Sequence, residues 1–209
     1  MRSALSVVFN LKHYPGLLIM VLYLSGCAMQ PSLTDRQIEQ RLDLHIQKLE
    51  TLREWKLIGR MSVRMEQEGW SAGLHWQQGM DDFNLRVIAP FGRGTVEISG
   101  NNDKVSLRTA ENEIFEDDDV DLLLRHKLGW DIPVSALAYW VKGQPEPHKP
   151  QDALTSDTRG RVSELQQAGW LISYERYTNS QGYDLPSLIT LQREGIRLRL
   201  NISRWDIST

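Results

Sequence analysis

The sequence predicts an α+β fold that consists mainly of antiparallel strands. Apolar and polar residues alternate along many short segments, and polar or glycine-containing turns separate these segments, as in strands with one buried face. Apolar residues recur at helical spacing in only three places, one before the strands and two between them. The chain lacks a repeated alternation of strand and helix, which disfavours a parallel sheet. A strongly curved, barrel-like sheet with helices across its mouth fits this order as well.

A helix is predicted at the start of the folded domain. Thr34 or Asp35 suits its N-cap position. Apolar residues then follow at spacings of three or four on one helical face, and they are Ile38, Leu42, Ile46, Leu49 and Leu52. The opposite face is charged. We expect this helix to pack on the domain; the alternative is an amphipathic helix that binds another surface.

Period-two alternation predicts about six strands in the first half of the chain and about four in the second half. The alternating runs of the first half cover residues 55–65, 70–77, 83–87, 96–98 and 105–107. In the second half, strands resume near Arg161, and the alternation is clear in residues 170–174, 189–191 and 196–202. A break is expected at residues 182–186, where glycine and proline occur together.

Two helices are predicted between these groups of strands. The acidic residues 116–119 suit the first turn of a helix that ends at Gly129; a cation site is the alternative, but the spacing of a calcium-binding loop is absent. A second helix is predicted from Pro133 to a stop at Gly143. Residues 144–158 are rich in proline and charged side chains, and they are predicted to form a mobile loop.

The N-terminal segment has the build of a secretory signal peptide. Arg2 and Lys12 are its basic residues, and its apolar run at residues 17–24 is shorter than the roughly 20 residues that span a membrane. Leu24-Ser25-Gly26-Cys27 resembles a bacterial lipobox, in which the cysteine is diacylated at sulfur and becomes the acylated first residue. Cys27 is also the only cysteine of the chain, so it cannot form an internal disulfide.

These features divide the chain into a lipoprotein signal peptide at residues 1–26, a lipidated tether at residues 27–33 and a single domain at residues 34–209. Two or more acyl chains make a stable membrane anchor, whereas one chain is marginal. The residue after the cysteine is Ala28 rather than aspartate. By resemblance to lipoprotein sorting rules in bacteria with two membranes, this favours the outer membrane.

Composition limits the remaining possibilities. Removal of 26 residues leaves 183, which suits one domain with a real core. The removed segment holds two basic and no acidic residues, so the net charge changes from −3 to −5. This charge argues against a general nucleic-acid-binding protein, which is expected to be basic.

The common catalytic and metal-binding motifs are absent from the sequence. It contains no Gly-x-Ser-x-Gly, Ser-x-x-Lys or His-Glu-x-x-His motif. The domain's histidines occur one per predicted element, without the spacing of metal ligands: His45, His75, His126 and His148. We therefore expect no enzyme activity, no catalytic residues, no metal site and no cofactor other than the covalent lipid on Cys27.

An apolar residue lies at the tip of one predicted turn. Pro90 and Gly92 mark a turn between two good strands, and Phe91 lies between them. A turn backbone normally lies at the surface, where an exposed phenylalanine forfeits roughly 1.5–3 kcal/mol of possible burial. Phe91 either folds back onto the edge of the sheet or projects for a function.

Several short motifs, weak alone, make a specific match through their order. They are the lipobox, the first helix, Trp76-Gln77-Gln78, Pro90-Phe91-Gly92, Asp131-Ile132-Pro133, Tyr139-Trp140-Val141 and Gly143-Gln144-Pro145. Together they resemble the LolB family of outer-membrane lipoproteins, over nearly the whole chain to Arg204-Trp205. The resemblance implies an incomplete, half-open antiparallel barrel with helices as a lid over an apolar cavity for acyl chains.

The resemblance also implies a function and partners. Proteins of this family receive triacylated lipoproteins from the periplasmic carrier LolA and insert them into the outer membrane. We therefore expect a LolA-type carrier, cargo lipoproteins and outer-membrane lipid as partners, and a lipid-anchored monomer that faces the periplasm. In the family, a projecting loop carries an exposed leucine needed for insertion; the matching loop here is Pro90, Phe91 and Gly92, with phenylalanine in place of leucine.

Residues of the alternating strands and of one helix are the candidate cavity walls. They are Trp55, Leu57, Leu74, Trp76, Leu85, Val87, Val96, Ile98 and Trp140. Each is equally plausible as an ordinary core residue, and the sequence leaves open which strand face points inward. Two other functions compete: an anchored scaffold of the cell envelope without a ligand cavity, and an anchored hydrolase, for which no nucleophile and base are found.

Overall fold

The computed structural model describes residues 34–65, 68–90, 94–101 and 103–207. Three helices are present in these residues: α1 (Asp35–Glu50), α2 (Val120–Leu128) and α3 (Val134–Trp140). The strands are β1 (Trp55–Met65), β2 (Glu68–Gln78), β3 (Asp82–Ile88), β4 (Thr95–Asn101), β5 (Val105–Arg108), β6 (Ile114–Asp117), β7 (Gln151–Ser156), β8 (Val162–Gln167), β9 (Trp170–Ser180), β10 (Tyr183–Arg193) and β11 (Ile196–Ile207). The predictions for Cys27, Phe91 and Gly92 lie outside the described residues.

All these strands join one antiparallel sheet in the order β6-β5-β4-β3-β2-β1-β11-β10-β9-β8-β7. The first strand pairs with the last strand in the middle of the sheet. Within the described residues, β6 and β7 are the two edges and do not pair with each other, so the barrel-like sheet stays open. The predicted fold class is confirmed.

The alternation of apolar residues places one continuous apolar face on the sheet, because side chains two residues apart point to the same side. A row of cross-strand partners runs across β1 to β5 and consists of Leu57, Trp76, Leu85, Ile98 and Leu107. Each of these side chains is buried. We call this the inner face; buried residues of α2 and α3 belong to the same core.

The acidic run leads from β6 into α2: Glu116 and Asp117 end the strand, and Asp119 begins the helix. Asp119 is the N-cap, and its carboxylate accepts hydrogen bonds from the backbone N–H groups of Asp121 and Leu122 at 2.8 and 2.9 Å. Gly129 ends the helix in the left-handed conformation, with φ of 67°. The predicted helix that ends at Gly129 is therefore confirmed, whereas the first-turn position predicted for residues 116–119 is wrong for Glu116 and Asp117, which belong to β6.

Helix α1 packs on the domain, as expected. Leu49 is completely buried. Arg41 donates a hydrogen bond to the carbonyl of Thr158 at 2.8 Å, and Lys48 donates one to the carbonyl of Gly182 at 2.6 Å. These contacts attach the middle and the last turn of the helix to turns of the sheet. Gly160 lies so close to α1 that an added Cβ would be 2.4 Å from the carbonyl carbon of Arg41.

The predicted mobile loop at residues 144–158 is wrong. Gln144 and Glu146 are buried, and β7 forms the edge of the sheet within this segment. The side chain of Gln167 holds the segment in place: it accepts a hydrogen bond from the N–H of Glu146 at 2.8 Å and donates to the carbonyls of Glu146 and Lys149 at 2.9 and 2.8 Å. A buried amide thus satisfies backbone groups that a loop would leave to water.

The predicted break at residues 182–186 is shorter than expected. The chain turns at Gln181 and Gly182, and β10 begins at Tyr183. Pro186 lies inside β10, where the register with β9 shifts between Pro186 and Leu188. Proline lacks the N–H that a regular strand pairs, so a bulge accommodates it.

The close approach of Gly160 to α1 can be tested with alanine. Gly160 and Gly195 both have left-handed backbones, with φ of 80° and 72°, but nothing lies within 4 Å of a Cβ at Gly195. Gly195→Ala is expected to lower the free energy of unfolding by about 1 kcal/mol, and Gly160→Ala by at least about twice that, because it also displaces α1. Urea denaturation measures both values. Equal losses, or unchanged hydrogen exchange in α1 of Gly160→Ala, would contradict the packing described.

Candidate apolar binding site

An apolar cleft of about 280 Å³ opens on the inner face at the end of the sheet where β3 leads into Pro90. Its walls come from β2, β3 and β4, from the residues that flank the β3–β4 turn, from the β5–β6 turn, and from the connection between α2 and α3. The lining residues are Trp70, Ser71, Ala72, Val87, Ala89, Pro90, Gly94, Val96, Ala110 and Trp130. Nearly all these side chains are apolar, so the cleft suits a hydrocarbon group rather than a polar ligand.

Two stacked tryptophans form one wall of the cleft. Trp70 of β2 stacks against Trp130, with ring centroids 5.7 Å apart and an angle of 26° between the planes. Trp130 belongs to the α2–α3 connection, which we define as residues 129–133. One wall of the cleft is therefore a connecting segment and not a part of the sheet.

Ion pairs attach this connection to the sheet. The carboxylate of Asp131 pairs with the guanidinium of Arg193 at the end of β10, and with Arg125 of α2 at 3.0 Å. The guanidinium of Arg193 also lies over the ring of Trp170, 4.8 Å from its centroid. The Asp131 and Arg125 side chains are about half exposed. Exposed pairs of this kind contribute only about 0–1 kcal/mol each, so the connection is held without a large barrier to its displacement.

The volume of the cleft is small for a long acyl chain. Pockets for small ligands usually have volumes of about 300–1,000 Å³, and this cleft lies at the bottom of that range. The neighbouring inner face is filled by side chains. Trp55 contacts Trp76 and Trp205 with centroid distances of 5.3 and 5.4 Å. A long acyl chain therefore requires displacement of the α2–α3 connection or rearrangement of the core.

All eight predicted cavity residues of the sheet lie on the inner face. Val87 and Val96 line the cleft, and Pro90 of the predicted insertion loop lies at its rim and is exposed. The other six are packed in the core: Trp55, Leu57, Leu74, Trp76, Leu85 and Ile98. Trp140 of α3 is buried and donates a hydrogen bond to Gln167 at 2.8 Å. Their contact with a ligand remains a prediction.

Sequence reasoning missed several residues of the cleft. Trp70 and Ala72 follow the same alternation as Leu74 and Trp76, so the sequence pattern places them on the inner face. They were nevertheless not among the predicted cavity residues. Ala110 and Trp130 lie outside every alternating run. Their place in the cleft depends on how the β5–β6 turn and the α2–α3 connection pack on the sheet. No local sequence pattern predicts this packing.

A second depression, of about 400 Å³, lies at the opposite end of the inner face and contains a buried lysine. Lys142 is 7% exposed, and its ammonium donates a hydrogen bond to the carbonyl of Leu52 at 3.2 Å. Burial lowers the pKa of Lys142 to about 8, and the carboxylate of Glu50 opposes this shift. The folded protein therefore favours the neutral amine more than the unfolded chain does.

The part of the chain described by the structure holds no group of three or more side chains that could together bind a metal ion. Among the same residues, no helix has both the length and the apolar character needed to cross a membrane.

The fold and the cleft define a class of protein: an open antiparallel half-barrel with an apolar site on its helix-covered inner face. A LolA-superfamily protein from Nitrosomonas europaea has this fold, with a TM-score of 0.55 at 9% identity over 85% of this chain and 95% of that one. A DUF1329-family protein from Desulfovibrio piger is similar, with a TM-score of 0.53 at 8% identity over 83% and 94% of the two chains.

Sequence comparison identifies the family. The profile of the family described as "Outer membrane lipoprotein LolB" matches residues 53–205. Proteins named outer-membrane lipoprotein LolB are 35% identical over 91% of this chain and 96% of the relative in Nitrosococcus oceani, and 33% identical over 91% and 93% in Halorhodospira halophila. The chain belongs to the outer-membrane lipoprotein LolB family, which is a family of lipoprotein-localisation factors. The family predicted from the sequence is confirmed.

Removal of the Trp130 ring tests whether this residue limits access to the cleft. We expect Trp130→Ala to bind 1-anilinonaphthalene-8-sulfonate at least about threefold more strongly than the wild type, because the apolar surface of Trp70 and Val96 becomes accessible. Leu122→Ala, at an exposed position of α2 outside the cleft, is the matched control and should leave dye binding unchanged. Equal dye binding by folded wild type and Trp130→Ala would contradict the role of Trp130 as a wall.

The buried amine of Lys142 predicts a pH dependence of stability. The pKa of Lys142 is about 8 in the folded protein and ordinarily 10.5, so the unfolded chain binds more protons between these pH values. The free energy of unfolding should therefore rise from pH 8 to 10.5, by up to about 3 kcal/mol, and this gain should be absent below pH 7. Urea denaturation of the wild type and of Lys142→Met at several pH values isolates the effect. Parallel pH profiles for the two proteins would contradict it.

Proposed function

We propose that this protein accepts triacylated lipoproteins from a LolA-type periplasmic carrier and inserts them into the outer membrane. The observation that carries the proposal is the apolar cleft on the inner face, bounded by a displaceable connection and ending at Pro90. Membership of the LolB family supports the same function. In this proposal the acyl chains of the cargo occupy the inner face, next to Val87 and Val96.

The energetics of the cargo explain why a protein of this kind is needed. Three acyl chains contain on the order of 40 methylene groups, which corresponds to roughly 30 kcal/mol of unfavourable hydration in water. A carrier cannot release such a cargo into water. Transfer has to run from one apolar site to another and then to lipid, with small free-energy differences between the steps. An open half-barrel can receive chains through its open side without enclosing the whole cargo.

The α2–α3 connection gives this site a means of enlargement. Displacement of Trp130 and Asp131 costs one aromatic stack, two partly exposed ion pairs and the hydrogen bond that Arg193 donates to the carbonyl of Asp131. The cleft then extends along the inner face, towards the predicted cavity residues Leu74 and Leu85. We propose that cargo acyl chains, and not water, fill the space that this movement creates.

The loop of Pro90, Phe91 and Gly92 is proposed to deliver the cargo. Phe91 directly follows Pro90, a residue of the cleft rim, and an apolar side chain next to that rim suits contact with lipid. Insertion of the ring into the bilayer surface would bring cleft and lipid together, so that chains pass between two apolar environments.

The remaining features complete the proposal. A signal peptide at residues 1–26 directs export, Cys27 carries the diacylglycerol and the N-acyl chain, and residues 27–33 tether the domain at residues 34–209 to the outer membrane, facing the periplasm. The protein acts as a monomer and is not an enzyme. Apart from its covalent lipid it uses no cofactor.

A transfer assay tests the proposal directly. A purified LolA-type carrier is loaded with a lipidated cargo and mixed with the mature chain bearing Cys27→Ala, and affinity capture then locates the cargo. Movement of cargo to this protein without added energy is expected. Cargo that stays on the carrier, with this protein shown to be folded, would contradict the acceptor function and favour an envelope scaffold.

The delivery loop is tested with Phe91→Glu. A carboxylate at this position is strongly disfavoured in lipid, so the variant should fold and accept cargo but lose most transfer into vesicles. Phe91→Leu keeps an apolar side chain and should deliver cargo nearly as well as the wild type. Wild-type delivery by Phe91→Glu would eliminate the proposed role of the loop.

A further inference from the structure

A groove of about 420 Å³ lies on the sheet beside the apolar cleft and is rich in arginine. It is formed by β1, β2 and β11, and we call it the cationic groove. Its polar and glycine lining consists of Ser62, Arg64, Gly69, Ser71, Arg197 and Arg199. Arg64 and Arg197 are exposed, and both belong to the alternate residues that point away from the core.

Strand register brings two of these positive charges together. Arg64 is the direct antiparallel partner of Arg197, and Ser62 is the partner of Arg199. Side chains in such pairs have Cβ atoms about 4.5–5.5 Å apart, and like charges in this arrangement destabilise a sheet. Two positive charges at directly opposed positions are therefore unfavourable, and an anion bound between them would remove this cost.

The ion pairs between described residues neutralise only part of the positive charge in the groove. Arg199 pairs with the carboxylate of Glu175 at 3.1 Å. Among the ion pairs formed between described residues, none includes Arg64 or Arg197. The hydroxyl groups of Ser62 and Ser71 line the same groove as hydrogen-bond donors. Guanidinium groups and hydroxyls together are the groups that recognise a phosphate oxygen cluster.

The cationic groove and the apolar cleft adjoin each other. Trp70 and Ser71 line both of them, so the two sites lie on either side of the beginning of β2. A polar cationic surface next to an apolar opening matches the layers of a membrane surface, where phosphate groups lie above the acyl chains. The net charge of the chain without residues 1–26 is −5, so most of the protein surface would be repelled by an anionic membrane.

We propose that the cationic groove docks on a membrane surface that bears anionic phospholipid headgroups, with Arg64 and Arg197 binding their phosphates. The groove lies on the outer face of the sheet and the cleft on the inner face, but both are at the end of the sheet where β2 begins, so docking of this end brings the opening of the cleft to the lipid as well. The inference deepens the proposed function, because it assigns the lipid contact that positions the cleft for delivery. It does not depend on cargo, and vesicle binding can be measured without any.

The test compares vesicle binding of two double variants of the mature chain bearing Cys27→Ala. Vesicles contain phosphatidylcholine with about one-third phosphatidylglycerol, and flotation measures the bound fraction. A basic residue near an anionic surface strengthens binding roughly fivefold, so Arg64→Gln/Arg197→Gln should bind about 25-fold more weakly than the parent. Arg159→Gln/Arg176→Gln removes the same charge at exposed positions outside the groove and should stay within about twofold.

Further measurements separate the possible outcomes. Removal of two opposed arginines should leave the urea midpoint unchanged or raise it, which excludes misfolding as the cause of weaker binding. Equal losses in both double variants would indicate a general charge effect and overturn the proposal, as would unchanged binding of Arg64→Gln/Arg197→Gln. Cargo acceptance from the carrier should be the same in parent and groove variant. Failure of the acceptor function would show in that assay alone, with vesicle binding intact.

Discussion

The pairing of β1 with β11 is the constraint on which the rest of the structure depends. It joins the first and last strands at the middle of the sheet, so the strands of both halves form one inner face. The two backbones approach closely at Gly59, where an added Cβ would be 2.5 Å from the carbonyl oxygen of Asn201. The register shifts between Ile58 and Gly59, and such irregularities increase the local twist of a strand. The pairing thus makes one sheet of the two halves, which stays open because its edges β6 and β7 do not pair with each other.

With the proposed function, the inner face serves two purposes that conflict. A stable domain needs a densely packed core, whereas a site for acyl chains needs apolar surface that is not fully engaged. The protein separates these needs along the sheet. At one end of the face, where β1 begins and β11 ends, the space is filled by Trp55, Trp76 and Trp205. The apolar cleft occupies the other end, near Pro90. Hydrophobic packing and the proposed ligand site are therefore neighbours on one surface.

The sequence predicted the inner face well because one-sided burial imposes a period of two, and Leu57, Leu85 and Ile98 follow it. It did not predict β7, since an edge strand forms through backbone hydrogen bonds to β8 and buries few of its own side chains. The position of Trp130 was equally hidden. That ring reaches Trp70 only because α2 and α3 pack on the core and Asp131 pairs with Arg193, and these are tertiary contacts without a local signature.

Approximate contact energies indicate how the connection can close the cleft and still give way to an acyl chain in the proposed site. The Trp70–Trp130 stack contributes about 0.5–1.5 kcal/mol, and each exposed ion pair of Asp131 contributes at most about 1 kcal/mol. Each methylene group that leaves water contributes about 0.8 kcal/mol. Burial of about four methylene groups therefore offsets the loss of this stack and these two ion pairs, and an acyl chain has several times that number. A water-filled opening offers no such compensation, so the same weak contacts favour the closed position of the connection in the absence of the proposed acyl-chain ligand.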